Sequence, residues 1–430
     1  MTAIPQKLRT AEDPDVVTRS GLVVLALCFL AVAAEGYDLI VYGASVLPLM
    51  YEPTWDMTTD MAGLIASCTL AGMMVGLICS GHITDLIGRR KVITAGIVWF
   101  SVGSVACAFA NSPEFLLSAR IFTGIGMGAV IPPAVVLTAE YAPRHRRQLY
   151  TALMLIGFSV GGILASIVAM KVLPDDMAAG SWRALFAIGG VFILVAPATY
   201  RFLPDSHDHV AAESASGNHH DGEHVVTVHR GFRALLHRRL RVAGIIFTIL
   251  CFCAQFTLYG LDTWLPELMH ASGYAVAPSL QFFLILQVSA VVGMVCGAMI
   301  ADRIGTQPVL AAFFLLGALS LVVLGLNVHS LVLHLAVAST GLGTVGTTML
   351  LYGYAATHFP APCRATAVGM SMGLARIGSI LGPLVGGWIL GSELSHKWGF
   401  YAYAAPLAFA GVLVASFGRR RTPAPEHQHA

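Results

Sequence analysis

Apolar and polar positions alternate along this chain in blocks of about twenty residues, the length of a helix that crosses a bilayer. Twelve apolar segments stand out, at 21–47, 61–81, 92–110, 115–139, 149–170, 184–201, 241–265, 279–300, 308–326, 331–355, 366–390 and 400–417. A backbone in hydrocarbon must satisfy its own polar groups, so the pattern predicts twelve transmembrane helices and an all-α integral membrane protein. The longest polar stretch, 202–240, divides the spans six and six. The expected organisation is a tail at 1–20, a six-helix bundle at 21–201, a linker at 202–240, a second bundle at 241–417 and a tail at 418–430. Within the linker, Asp205 to Glu223 is rich in Ser, His, Asp, Glu and Gly and reads as a flexible segment. Arg230 to Arg241 is a basic amphipathic run suited to a helix lying on the membrane surface.

The two halves echo each other. The segment Gly81 to Arg90 matches Gly297 to Gly305, with Asp85 on Asp302 and Gly88 on Gly305, an offset of 217 in a chain of 430. The same offset carries Tyr42 and Gly43, near Leu47 and Pro48, onto Tyr259 and Gly260, near Leu265 and Pro266. A repeat set among membrane spans predicts two pseudo-symmetric bundles, an arrangement most often found in secondary transporters.

Composition agrees: 56% of the residues are hydrophobic and 11% charged, against about 25% charged in soluble domains. The net charge of +2 says little, but its distribution sets an orientation. Arg89, Arg90, Lys91, Arg144, Arg146, Arg147, Arg238, Arg239, Arg241, Arg303, Arg364 and Arg419 to Arg421 all fall on one side. The loop after span 1 holds Glu52, Asp56 and Asp60 and no base. By the positive-inside rule both termini are expected in the cytoplasm. The first twenty residues are polar and the first apolar run ends in Gly36, Tyr37 and Asp38, so it reads as a true span rather than a cleavable signal. The eight cysteines lie nearly all in apolar runs without metal-ligand spacing and read as small core residues. His207, His209, His219, His220 and His224 read as part of a solvated linker.

Ionisable residues at membrane depth are the candidate chemistry. Span 1 holds Glu35 and Asp38 on one helical face, with Tyr42 a turn further. Span 4 holds Arg120, span 7 holds Gln255, Tyr259 and Asp262, and span 11 holds Arg376. The repeat sets Asp38 opposite Gln255, so a symmetric scaffold is asymmetric where it is polar. Burial disfavours a charged carboxylate, whereas an arginine keeps its charge. Together they form a kit for moving an organic anion with protons: Arg376 and Arg120 as partners of the anion, Asp38 and Glu35 as proton carriers. Tyr42, Tyr259 and Trp264 are candidate cavity aromatics, with interface anchoring as the alternative. For Asp38 and Arg376 the alternative is a structural ion pair, and for Arg120 a snorkelling side chain.

Glycines at 124, 126 and 128 in span 4, at 157, 161 and 162 in span 5 and at 382, 386 and 387 in span 11 predict close helix approach. Pro132, Pro133 and Pro383 mark expected kinks. After span 2, Asp85 with Arg89 and Arg90 between Gly81 and Gly88 forms a candidate gate, with Glu140 and Arg144 as network partners. Asp302 and Arg303 repeat it more thinly. No phosphate-binding glycine loop occurs, which argues against an ATP-driven pump.

These motifs resemble the major facilitator superfamily: Gly81, Asp85, Gly88, Arg89, Arg90 and Lys91 resemble its loop between spans 2 and 3, and Arg120 with Gly124, Gly126 and Gly128 its span 4. Within it the chain resembles the bacterial aromatic acid:proton symporters, on Glu35-Gly36-Tyr37-Asp38, on Tyr42-Gly43 and Leu47-Pro48, on Tyr259 to Pro266, and on Gly373 to Pro383. The resemblance implies uptake of benzoate, hydroxybenzoate or a similar acid across a bacterial inner membrane, and a requirement for Glu35, Asp38 and Asp85. Two departures stand out: Glu35 replaces the usual first Asp, and Asp262 stands where Asn is expected. The expected partners are an aromatic acid anion, protons and the bilayer, with no nucleic acid, no metal and no cofactor beyond the proton gradient, in a monomer. Symport of another organic anion is the nearest alternative. A dicarboxylate would call for both buried arginines in the cavity. Export is disfavoured because Gly157 to Gly162 lacks the Pro of the exporter motif. An enzyme is the weakest reading, since no nucleophile–base or metal-ligand set is visible.

Overall fold

The computed structural model of the chain describes residues 19–173, 178–204, 238–326, 328–359 and 361–417. The expected tails, the histidine run and most of the linker with its basic segment lie outside the described residues. Twelve helices among the described residues are long and apolar enough to cross a membrane. They are α1 (Arg19–Met50), α2 (Thr59–Ile87), α3 (Arg89–Ala108), α4 (Pro113–Tyr141), α5 (Arg147–Val172) and α6 (Trp182–Phe202), then α7 (Arg238–Ala271), α8 (Val276–Ile304), α9 (Thr306–Leu324), α10 (Ser330–His358), α11 (Ala361–Gly391) and α12 (Lys397–Phe417).

Local chemistry explains the ends and the breaks. Thr58 caps α2 by accepting from the Met61 N–H at 3.2 Å, and Ser112 caps α4 by accepting from the Phe115 N–H at 3.2 Å, with Pro113 following it. Helix α4 breaks at Ala129 and Val130, whose N–H groups bond three residues back to Gly126 and Met127. Pro132 and Pro133 cause this, because their rings clash with the carbonyls four residues earlier, at Gly128 and Ala129. Pro383 sits inside the continuous α11, where no interruption accompanies it. Helix α6 carries a 3-10 turn at Gly190–Leu194 that the hydropathy pattern does not signal.

The repeat is visible in backbone detail. Gly88 joins α2 to α3 at φ 89°, and Gly305 joins α8 to α9 at φ 92°. Each accepts a left-handed conformation that other residues resist, and each N–H closes onto a carbonyl four residues back, at Thr84 and Ala301, both at 2.9 Å. Packing repeats as well. In the first bundle α1 packs on α5, α2 on α4, and α3 on α4 and α6; in the second α7 packs on α11, α8 on α10, and α9 on α10 and α12. The bundles meet through α1 with α7, α2 with α11, and α5 with α8.

Where α2 and α11 meet, the close contacts at described glycines and serines gather toward the end bearing the α1–α2 loop. The Ser67 hydroxyl donates to the Ile380 carbonyl at 2.7 Å, Gly63 lies under the Pro383 carbonyl, and Gly387 lies under Thr59. Along the same stripe of α11 toward the Gly88 and Gly305 end, Gly369 and Gly373 have nothing within 4 Å of a Cβ position, nor does Gly81 on α2. Ile78 of α2 is 65% exposed there. At this seam the bundles are thus closed at the end bearing the α1–α2 loop and parted at the other.

Close approach within each bundle depends on glycine. A Cβ on Gly161 would collide with the Ala33 carbonyl of α1, and one on Gly124 with the Thr69 carbonyl of α2. Gly161→Val is therefore expected to destabilise the purified protein by about 1–3 kcal/mol, read as a lower melting temperature. Gly244→Ala, at a site with nothing within 4 Å, should leave it level or slightly raised. Equal melting temperatures for Gly161→Val and the wild type would refute the packing described.

Candidate functional site

Two adjoining polar groupings occupy the middle of the membrane region. The first belongs to the first bundle. Asp38 on α1 and Arg120 on α4 are each 1% exposed, and the Arg120 Nη1 donates to Asp38 Oδ2 at 2.5 Å. The Arg120 Nε donates to the Thr69 hydroxyl of α2 at 3.3 Å. Its guanidinium lies 5.2 Å from the Tyr42 ring centre and 5.7 Å from that of Phe186, in range of cation–π attraction. Tyr42 is fixed in turn, its hydroxyl donating to the Ala62 carbonyl at 2.7 Å. The acid expected to pair with Arg376, if it paired at all, pairs with Arg120 instead. Arg120 is deeply buried rather than snorkelling.

The second grouping crosses from the first bundle to the second. Glu35 is 0% exposed, and neither carboxyl oxygen has a hydrogen-bond partner. The charges acting on it are Arg376 and, more weakly, Asp38. Arg376 on α11 is half-buried, and its Nη1 donates to the Tyr259 hydroxyl of α7 at 3.3 Å. Its cation therefore meets a neutral partner while Arg120 meets a charged one.

A narrow cleft lies between the bundles beside these groups, lined by Leu39, Tyr42 and Leu70 on one side and Tyr259, Asp262 and Thr263 on the other, with Arg120 at its wall. Asp262 is 4% exposed, and the Gln287 amide of α8 donates to its Oδ1 at 3.0 Å. Sequence reasoning noticed Asp262 but not Gln287. The signal was an amide inside an apolar span.

Other expected site residues are placed less centrally. Gln255 is half-buried on the same stripe of α7 as Tyr259 and Asp262. Trp264 is fully buried and turned into the contact with α11, its Nε1 donating to the Pro383 carbonyl at 2.8 Å, so it is a packing residue rather than a wall of the cleft. At the parted end Arg89 forms an ion pair with Glu140, and Arg90 lies 5.3 Å from the Tyr200 ring centre. Asp85 is exposed, as are Asp302 and Arg303 at the equivalent turn. Arg144 opens a 3-10 turn, and its side chain lies outside the described residues. Among the described residues no cluster of His, Cys, Asp and Glu could hold a metal.

The chain is similar to known proteins. The chain is 29% identical over 428 residues to the benzoate transport protein of Acinetobacter baylyi, covering 94% of this chain and 91% of that one. It is 30% identical over 371 residues to the gentisate transporter of Corynebacterium glutamicum, covering 86% and 81%. Its fold matches the xylose transporter XylE from E. coli in an inward open conformation, with TM-score 0.76, 17% identity and coverage of 94% and 98%. The model of the Major Facilitator Superfamily matches residues 28–370 and 295–430. With twelve spans, two repeated bundles and a polar centre between them, the chain is a multi-pass membrane transporter belonging to the Major Facilitator Superfamily.

Proposed function

We propose that this transporter carries an aromatic monocarboxylate into the cell together with protons. The observation that carries the proposal is the unequal state of the two central arginines. Arg120 is neutralised by Asp38, whereas Arg376 is half-buried, acts on Glu35 across the space between the bundles and meets a tyrosine hydroxyl. A carboxylate entering that space would find one uncommitted guanidinium, able to hold both its oxygens. The tyrosine and aliphatic lining of the adjoining cleft matches an apolar ring in chemistry, and the cleft, which has room for about one water in this structure, would have to widen to admit one. The similarity to benzoate and gentisate transporters supports the same class. A dicarboxylate would need a second free arginine, and Arg120 is already paired with Asp38.

Coupling follows from competition for Arg376. An ionised Glu35, buried without donors, is costly unless a cation compensates it. Deprotonated Glu35 would therefore draw on the field of Arg376 and oppose binding of a second anion. A proton on Glu35 removes that claim and leaves Arg376 for the substrate. Asp38 holds Arg120 in place and joins the proton pathway when the pair separates. By the positive-inside reading the parted end, which bears Arg89, Arg90 and Arg303, faces the cytoplasm, so the structure corresponds to the state that releases substrate inward. The Asp85 and Asp302 turns act as the charge gate of that end.

Three outcomes test the reading. In membrane vesicles, uptake of labelled benzoate or hydroxybenzoate should rise with an inward proton gradient and collapse with a protonophore. Uptake unchanged by the protonophore would exclude symport. Asp38→Asn should abolish accumulation, and normal accumulation would remove its assigned role. Arg376→Gln should raise KM for the acid about tenfold or more, since it removes a charge-assisted contact. An unaltered KM would place the substrate carboxylate elsewhere.

A further inference from the structure

We infer that Asp262 is a specificity residue that accepts a hydrogen bond from a ring hydroxyl, so that the protein prefers hydroxylated aromatic acids to benzoate itself. The inference rests on the aromatic-acid reading and adds to it the substituent that the site recognises.

Asp262 is 4% exposed and lines the cleft between the bundles. Its Oδ1 is held by the Gln287 amide at 3.0 Å, but its Oδ2 has no partner. Gln287 is itself 0% exposed, and its Oε1 is also unpartnered. Neither of these two buried atoms meets a protein donor, in a region where acceptors are normally satisfied. The cation in the cleft wall does not serve them, since Arg120 is turned to Asp38 and Thr69. An acceptor in want of a donor is met by a hydroxyl and left empty by a ring hydrogen.

The position fits the anchor. Tyr259, which receives the Arg376 hydrogen bond, lies one turn before Asp262 on α7, and both line the same cleft. An acid whose carboxylate rests on Arg376 would lay its ring along this face of α7, with the far edge directed toward Asp262. Gln287 holds Oδ1 of Asp262, which leaves Oδ2 as the oxygen free to accept. A buried acceptor built to meet a hydroxyl penalises the analogue that lacks it, because the acceptor is then left desolvated and unpaired.

The test compares KM for labelled benzoate with KM for labelled 3- and 4-hydroxybenzoate in vesicles under one imposed proton gradient, for the wild type and for Asp262→Asn. Asparagine keeps the shape and retains one oxygen for the Gln287 amide, but puts a donor where the free acceptor stood. The wild type is expected to favour at least one hydroxybenzoate by about tenfold or more, the value of a hydrogen bond to a charged group. In Asp262→Asn that ratio should fall to near one. The ratio is the readout because a loss of folding or of transport common to both acids leaves it unchanged. A wild type that takes up benzoate and both hydroxybenzoates with equal KM overturns the assignment and leaves the aromatic-acid reading standing. A ratio preserved in Asp262→Asn, with accumulation of every acid lost, also overturns it and makes Asp262 part of the proton cycle. A wild type that transports none of the three overturns the functional reading and this inference with it.

Discussion

A charge cannot stand alone in the interior of a membrane bundle, and the Asp38–Arg120 pair is where this protein meets that constraint most directly. Both groups are almost completely buried, and three helices converge to hold them, α1 through Asp38 and Tyr42, α4 through Arg120, and α2 through Thr69. Removing one member of such a pair costs about 3–5 kcal/mol, because it strands the other. The pair therefore fixes how α1 and α4 are rotated about their axes. Once α1 is fixed, Glu35 one turn earlier has no choice but to face the interface with the second bundle. The arrangement of the candidate site thus follows from the satisfaction of one ion pair.

The packing that lets this happen is a matter of backbone contact. The α1 and α5 helices touch where Gly161 lies on the Ala33 carbonyl and Gly36 on the Phe158 carbonyl. No side chain intervenes, and the small residues bring polar groups of different helices within reach of each other. The same device operates between bundles, where Gly43 of α1 lies on the Asp262 carbonyl of α7. Contacts of this kind have little depth. They can separate when the bundles rock without unthreading interlocked side chains, which suits a closure that must reopen in every cycle.

Much of this was legible in the sequence because the bilayer imposes a coarse and regular code. Twelve spans follow from hydropathy alone, and the Gly88 and Gly305 turns from the repeat, since both positions need a conformation that glycine adopts freely. The charged members of the polar centre were legible too, because a charge in an apolar run has no structural camouflage, whereas the uncharged Gln287 was not. What could not be read was who pairs with whom. Asp38 could have met either arginine, and the choice depends on helix rotation and on Thr69 and Phe186, neither of which stands out in an apolar run. Trp264 faces α11 rather than the cleft for the same reason. Pro132 and Pro133 break their helix whereas Pro383 does not, so a proline alone does not decide the matter.

The repeat assigns different chemistry to its two halves. At the 217-residue offset, Asp38 corresponds to Gln255 and Arg120 to Val337, while Arg376 corresponds to Ser159 and Tyr259 to Tyr42. The first bundle thus holds a self-neutralised pair and one uncompensated carboxyl, Glu35. The second holds a cation, Arg376, that among the described residues forms no ion pair and bonds the Tyr259 hydroxyl. If both sets lay in one bundle, rocking would leave their separations unchanged, and the proton and the anion would have no means of sensing each other through the motion. Because Glu35 and Arg376 lie on opposite sides of the interface, every change in the angle between the bundles changes the field each exerts on the other. In the low dielectric between them that field is steep. If proton and anion are coupled as proposed, no dedicated relay is needed: occupancy at one bundle would alter the energy of approach of the other, and alternating access and charge compensation would become the same event.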